Sequence, residues 1–261
     1  MTDSTEIRPA DSWQVAATQL FGPAMGTAEK YAQLLVGAGV ERGIVGPAEA
    51  ERIWDRHLLN CGVVARLLPA KGSVVDLGSG AGLPGIVLAM LLPGIRVTLL
   101  EPMARRVDFL EECLAELGLD NAEVLRGRAE DLAGQLTADV VTARAVAPLD
   151  KLAGLAVGLL RPGGKVLAIK GASADAELLR ARPVLARLGV TDARLVQAGS
   201  PDGSVAATVV TFTAPAHRGA GSGHTTGRAG PRPAGRGPAG SGYPGAGGKK
   251  ARQPNSRRSG G

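Results

Sequence analysis

Hydrophobic and polar positions divide the chain into two regimes. From Asp11 to about Leu68, apolar residues recur at intervals of three and four: Phe21, the Tyr31, Leu34 and Leu35 group, then Ile53, Leu58 and Leu59. That spacing predicts helices with one buried face. Gly22-Pro23 and the stretch from Gly43 to Pro47 interrupt it, so about three helices are expected, the last carrying Ile53-Trp54-Asp55-Arg56-His57-Leu58-Leu59-Asn60. From Ser73 onward, short Val/Ile/Leu-rich runs alternate with amphipathic stretches. The expected elements are strand 73–77, helix 84–92, strand 95–100, helix 103–118, a short strand near 122–125, strand 139–143, helix 149–160, strand 165–169, helix 173–188 and strands near 192–198 and 204–213. In helix 103–118, Val107, Leu110, Leu114 and Leu117 share one face, and Arg106, Asp108, Glu112 and Glu116 lie elsewhere.

This alternation predicts an α/β fold: a doubly wound, mostly parallel, seven-stranded sheet. The last two strands are separated by only Gly199-Ser200-Pro201-Asp202-Gly203. A parallel crossover takes about a dozen residues or more, so these two strands are antiparallel neighbours. Three regions follow: an N-terminal helical cap over 1–70 with a frayed start, a sheet domain over 71–214, and a tail over 215–261. Ligands of such sheets bind beyond the carboxyl ends of the strands at the switch point. The loops after Leu77, Leu100, Leu125, Ala143 and Ile169 should therefore line the site.

The first of these loops is the most informative: Val74-Val75-Asp76-Leu77-Gly78-Ser79-Gly80-Ala81-Gly82-Leu83-Pro84. It describes a buried strand, a glycine turn and a helix with proline near its first turn. Glycine lets a ligand approach the backbone, and the helix N-terminus offers free N–H groups. A dinucleotide loop, G-x-G-x-x-G, would need its third glycine at position 83, which is Leu83. The pattern here is Asp76-x-Gly78-x-Gly80-x-Gly82, which resembles motif I of class I S-adenosylmethionine-dependent methyltransferases. A purely structural βα turn is the plain alternative. Glu101 follows Gly80 by twenty-one residues, at the tip of the second strand. A carboxylate there is placed to accept from ribose hydroxyls, although a helix-dipole role ahead of Pro102 explains it as well.

The remaining loops carry less. In Arg126-Gly127-Arg128-Ala129-Glu130-Asp131 an acid could accept from an adenine amino group or simply cap the next turn. The loop Thr142-Ala143-Arg144-Ala145-Val146-Ala147-Pro148 lacks the Asn/Asp-Pro-Pro-aromatic motif of exocyclic-amine methylation. Neither cysteine is near it to serve as the nucleophile of pyrimidine C5 methylation. Arg144 at the strand tip is left as the candidate catalytic residue. These absences favour an atom that is already nucleophilic, such as guanine N7. Alignment alone is worth up to roughly 7–11 kcal/mol in such a reaction, and Arg144 could hold guanine O6 or a phosphate while leaving N7 open. Lys170, with Arg56 and His57 from the cap, could form a small basic rim; a solvated lysine and a partner-bound histidine are the alternatives.

Charge changes the picture at one end only. The net charge is +6, yet residues 215–261 hold seven Arg and two Lys with no acid, among 14 Gly and 6 Pro. Such a segment cannot bury enough apolar surface to order itself and is expected to be disordered. It suits sequence-independent contact with an RNA backbone, or serves only as a solubilising extension. Cys61 and Cys113 suggest neither a disulfide framework nor a metal site. No run approaches the ~18 apolar residues of a membrane span. The start, with Asp3 and Glu6, lacks a basic-then-apolar signal segment. A cytoplasmic monomer without metal is the expectation.

Three stretches together resemble one family. Trp54-Asp55-Arg56-His57-Leu58-Leu59-Asn60, Val75 through Ile86 with its Leu83-Pro84-Gly85-Ile86 extension, and Arg105-Arg106-Val107-Asp108-Phe109-Leu110 are similar to the bacterial 16S ribosomal RNA guanine-N7 methyltransferases, also called GidB. Thr142-Ala143-Arg144-Ala145 and Leu167-Ala168-Ile169-Lys170-Gly171 fit as well. The resemblance covers about 25–213 and leaves out the basic tail. It implies S-adenosyl-L-methionine contacts at Gly78, Leu83, Ala129, Glu130 and Arg144. It also implies transfer to N7 of one guanosine of the 16S decoding region, guanosine 527, on ribosomal RNA or the small subunit. Asp76, Gly80 and Glu101 are the cofactor-side residues read from the loop itself. The competing readings are a methyltransferase for another RNA or small molecule, a nucleotide-binding oxidoreductase on the same sheet, and a non-catalytic RNA-binding protein.

Overall fold

Strands β1 (Gly72–Leu77), β2 (Ile95–Glu101), β3 (Ala122–Arg126), β4 (Ala138–Arg144), β5 (Leu160–Lys170), β6 (Arg194–Gly199) and β7 (Ala206–Thr213) form one sheet in the order β3-β2-β1-β4-β5-β7-β6. The computed structural model describes residues 12–200 and 202–216. The expectations for the frayed start and for the tail beyond 216 lie outside these residues. The pairs β1–β2, β2–β3, β1–β4 and β4–β5 are parallel. β7 runs antiparallel to both β5 and β6, so it is inserted between them. The short 199–203 link forces β7 beside β6, and pairing its other edge with β5 joins that hairpin to the parallel strands.

Period-two alternation distributes the strands over two cores. Val74, Val97, Leu99, Val140, Leu167 and Val209 pack on one face, and Val75, Leu100, Val141, Val166, Val210 and Phe212 on the other. The first face is covered by α5 (Gly85–Leu91) and α6 (Ala104–Leu117) through Ile86, Leu88, Phe109 and Leu110. The second is covered by α8 (Leu149–Gly158) and α9 (Ala174–Arg187) through Leu152, Ala156, Leu178 and Leu185. A single turn, α7 (Ala129–Leu132), follows β3. α6 stops at Gly118, which adopts a left-handed φ of 64° and closes the helix end. β5 begins earlier than the sequence suggests. Leu160 pairs with Ala138 before an irregularity in register, and Gly163 at φ 75° lets the strand absorb the turn.

The N-terminal helices α1 (Ser12–Phe21), α2 (Met25–Leu34), α3 (Pro47–Ala50) and α4 (Leu59–Gly62) pack on the same face as α5 and α6, through Tyr31, Leu35, Leu58 and Leu59. This region is more broken than three helices. Leu35–Gly39 and Ile53–Leu58 are π-helical, and a 3₁₀ turn, Val63–Leu67, follows α4. The wider π turn shifts the register of Arg56 and His57 against the helix that follows; such turns cluster at functional sites. Trp13 stacks on Trp54 with ring centroids 4.8 Å apart and planes 17° apart, and Phe21 meets Trp54 edge-on.

The tightest point of this architecture is Gly85, where α5 crosses β1 and β2. A Cβ there would collide with Leu99 Cδ2 and fall 2.7 Å from Asp76 Oδ2. Gly85→Ala should therefore lower stability by roughly 1–3 kcal/mol through overpacking. Urea unfolding should show an earlier midpoint with the slope unchanged; an unmoved midpoint would show that the approach can relax freely.

Candidate active site

The carboxyl end of β1 is held by a buried acid. Asp76 is fully buried; its Oδ2 accepts the Gly85 amide at 3.0 Å and its Oδ1 accepts the Thr142 hydroxyl of β4 at 3.2 Å. Burial pushes its carboxyl up to about 6, against the pull of the hydrogen bonds it accepts. Asp76 therefore shapes the loop from behind, and a ligand in the crevice would not meet its side chain.

Between Asp76 and Gly85 the backbone turns through Gly78, Gly80 and Gly82, all at positive φ. The amides of Gly78 and Ser79 both donate to the Leu100 carbonyl of β2. Tyr31, fully buried in α2, donates its hydroxyl to the Ala81 carbonyl at 2.7 Å, so the N-terminal helices fasten this loop as well. Leu83, half-buried, packs against the core on the far side of the turn. The space beside the Gly80 Cα is open, with only the Gly78 carbonyl at 3.8 Å from a Cβ built there.

Glu101 stands at the tip of β2 with its carboxylate held by two backbone amides. It is 1% exposed; Oε2 accepts the Gly80 amide at 2.9 Å and Oε1 the Met103 amide at 3.0 Å. The carboxylate thus anchors the glycine loop and the start of α6, which is the helix-end role the sequence also allowed. Each carboxylate oxygen keeps a further lone pair beyond these amides. Arg106 Nη1 lies 3.8 Å from Glu101 Oε2, and its Nε is buried without a hydrogen-bond partner among the described residues. Ala129 is buried at the first residue of α7, and Glu130 beside it is exposed.

Arg144, the last residue of β4, reaches back to the 53–62 segment. Its Nη2 donates to the Arg56 carbonyl at 3.1 Å and lies 2.7 Å from His57 Nδ1, while Nη1 faces Cys61 Sγ at 3.4 Å. His57 Nε2 lies 2.7 Å from Glu49 Oε2. A guanidinium only donates, so Nδ1 is the accepting nitrogen and the ring proton sits on Nε2, facing the carboxylate. Burial, then the nearby Arg144 charge, lowers the His57 pKa, with Glu49 opposing. Burial raises the Cys61 thiol to about 11 despite Arg144, so it stays protonated.

The basic rim expected from Arg56, His57 and Lys170 is only partly present. Lys170 has a side chain 8% exposed; its Nζ bonds Glu177 Oε2 at 2.9 Å and the Ala147 carbonyl at 2.9 Å. Glu177 Oε2 also accepts the Leu149 amide, which ties α9 to the start of α8. Lys170 and His57 are therefore braces, and Arg56 alone of the three is solvent-exposed. An open cleft of about 720 Å³ lies here, lined by Arg56, Asn60, Arg144, Lys170, Glu177 and Arg180 among others. Its lining draws on the loops after β4 and β5, with the glycine turn on the other side of Val146. Val146 separates the two sides: a Cβ on Gly78 would lie 2.9 Å from its Cγ2. Ala145 beside it takes a left-handed φ of 56°, rare for a residue with a side chain.

Residues 25–205 match the family described as GidB, rRNA small subunit methyltransferase G. The chain belongs to the GidB family. Ribosomal RNA small subunit methyltransferase G of Thermobifida fusca (strain YX) is 54% identical over 198 residues, which is 76% of this chain and 84% of that protein. The protein of the same name from Mycobacterium leprae (strain TN) is 52% identical over 190 residues, 71% of this chain and 76% of that one. Among solved structures, S-adenosylmethionine-dependent methyltransferase SibL in its apo form is similar with a TM-score of 0.51 at 19% identity, covering 64% of this chain and 57% of that one. That likeness is one of fold.

The GidB-family chain is thus a ribosomal RNA methyltransferase. Four residues that touch the cleft, the glycine turn or His57 carried no sequence signal of their own. Glu49 and Tyr31 sit on short or ordinary helical stretches with no motif, Asn60 was read only as part of a match, and Arg180 is one of several arginines along α9. Among the described residues no group of three His, Cys, Asp or Glu is placed to hold a metal ion, and no helix is long and apolar enough to cross a membrane.

The buried Asp76 gives a pH signature. Its folded pKa of about 6 stands above its ordinary value of 3.8. Its contribution is therefore fully present below about 3.8 and is lost as pH rises through about 6. The stability difference between wild type and Asp76→Asn should shrink on going from pH 4 to pH 7.5, by on the order of 2–3 kcal/mol. Chemical unfolding of both proteins across that range measures it, and a pH-independent difference would contradict the burial effect.

Proposed function

We propose that this chain transfers the methyl group of S-adenosylmethionine to N7 of a guanosine in 16S ribosomal RNA, guanosine 527 by the family resemblance. The observation that supports the choice of atom is that, among the described residues, no acid or histidine at the cleft is without a partner. The two acids that line it are both ion-paired, Asp55 with Arg52 at 3.2 Å and Glu177 with Lys170 at 2.9 Å. Both nitrogens of His57 are engaged, and Asp76 and Glu101 are buried behind the glycine loop. Such a cleft suits an atom that has a lone pair and no proton to lose. Guanine N7 is such an atom, whereas an exocyclic amine or a ribose hydroxyl needs a proton acceptor.

The glycine loop fits the donor. Open space at Gly80 and the Arg106 Nε, partnerless among the described residues, suit a ligand lying across the backbone. Gly78, Gly80 and Leu83 would hold its amino-acid and sugar portions, with Ala129 and Glu130 at its adenine. Bound there, S-adenosylmethionine would supply a methyl group on a positively charged sulfur, the chemistry an N7 lone pair needs. Arg144 lies between this loop and the cleft. Its guanidinium would orient the base through O6 or a phosphate and leave N7 open. Arg56 and Arg180 at the cleft would meet the flanking RNA backbone. The helices of 12–67 act as a cap that fixes Arg144 and the loop, through His57 and Tyr31.

Arg144→Ala should reduce methyl incorporation into small-subunit ribosomal RNA by about a hundredfold or more, with a single cooperative unfolding transition retained. Near wild-type turnover would remove Arg144 from the site. Independently, RNA carrying 7-deazaguanosine at the target position should accept no methyl, since the acceptor atom is gone. Incorporation into that RNA would exclude N7.

A further inference from the structure

The geometry points to Glu49 as a positioning residue for Arg144, acting through His57. The inference rests on the reading of Arg144 as the substrate-facing cation. Glu49 lies in α3, outside every strand tip and glycine turn, and its carboxylate reaches two partners. Oε2 meets His57 Nε2 at 2.7 Å, and Oε1 lies 3.7 Å from Arg56 Nη1. His57 passes the constraint on, its Nδ1 lying 2.7 Å from Arg144 Nη2.

The chain of hydrogen bonds has one consistent proton arrangement. Arg144 donates to Nδ1, so Nδ1 carries a lone pair; Nε2 carries the proton and donates to Glu49. Take the carboxylate away, and the ring no longer has a reason to keep its proton on Nε2. The other tautomer places N–H against the guanidinium N–H, two donors with no acceptor between them. Doubly protonated imidazole does the same and adds like-charge repulsion. In either case Arg144 loses one of the contacts that hold its head against the 53–62 segment. The charged groups facing His57 among the described residues are Glu49 from α3, Arg144 from β4 and Arg56 from its own segment. Glu49 alone favours the imidazolium, and both arginines disfavour it.

Glu49 therefore has two separable effects: its oxygen fixes the tautomer, and its charge raises the pKa of the ring. Substitution can divide them. Glu49→Gln keeps an acceptor for Nε2–H and removes the charge, whereas Glu49→Ala removes both. With full-length protein and small-subunit ribosomal RNA as substrate, Glu49→Ala should lower kcat ten- to a hundredfold, the range for losing one hydrogen bond to a charged group. KM for S-adenosylmethionine should stay within about twofold, because the glycine loop is untouched. Glu49→Gln should recover most of kcat at pH 8. Its acid limb should move to lower pH than in wild type, since His57 then protonates less readily.

A second measurement does not depend on turnover. The chain has three histidines, so ¹⁵N imidazole shifts of His57 can be assigned by comparison with His57→Asn. At pH 7.5 the wild-type ring should be neutral with the proton on Nε2. An Nδ1–H tautomer or an imidazolium there overturns the inference, as does wild-type kcat in Glu49→Ala or an acid limb of Glu49→Gln that stays at the wild-type pH. An active Arg144→Ala overturns the reading on which the inference rests. An inactive Arg144→Ala beside an unmoved Glu49→Gln profile overturns the role of Glu49 alone.

Discussion

A single carboxylate inside the sheet sets the geometry of everything in front of it. Asp76 stands one residue from the end of β1 with no access to water, and its two oxygens are committed to β4 and to the first amide of α5. The eight residues between Asp76 and Gly85 must therefore close a short arc, which the left-handed glycines at 78, 80 and 82 allow. Gly85 is glycine because Asp76 and Leu99 leave its Cβ no room. The open backbone offered at Gly80 is thus a by-product of how strand and helix are bolted together. Burying that charge costs free energy, and the partners it gains only partly offset the cost.

The sheet was largely legible from the chain because its signals are local. Alternation of Val74/Val75, Leu99/Leu100 and Val140/Val141 assigns residues to opposite faces without any knowledge of partners. The 199–203 link fixes one antiparallel pairing. What it could not reveal was the second one, since nothing local to β7 says that its other edge meets β5. The π turns escaped for a related reason: six residues are too few to separate a period of 3.6 from a wider one.

The site was legible in position and not in use. Strand tips were identified correctly as places, so Arg144, Glu101 and Lys170 stand where the alternation puts them. Whether each charge is available depends on partners elsewhere. Lys170 is spent on Glu177 one helix turn into α9, Glu101 on an amide twenty-one residues back, and His57 on a glutamate in a four-residue helix. Glu49 gave no signal at all, because a lone acid in a Pro-Ala-Glu-Ala turn looks like any surface carboxylate. The cleft and the glycine loop also turned out to be neighbours divided by Val146. A β4–α8 connection strapped down by Lys170 and Glu177 holds that partition in place.

The two tryptophans of the chain, Trp13 and Trp54, are stacked on each other beside the Asp55–His57 segment. The sheet itself contains none. Intrinsic fluorescence of this protein is consequently a single-site optical report, from coupled indoles next to the arginine and histidine of the cleft. Emission will track events that disturb the junction of α1 with that segment and will be nearly blind to changes confined to the glycine turn. The molecule thus carries its own dye where α1 meets the 53–58 segment, and none in the sheet or the glycine turn.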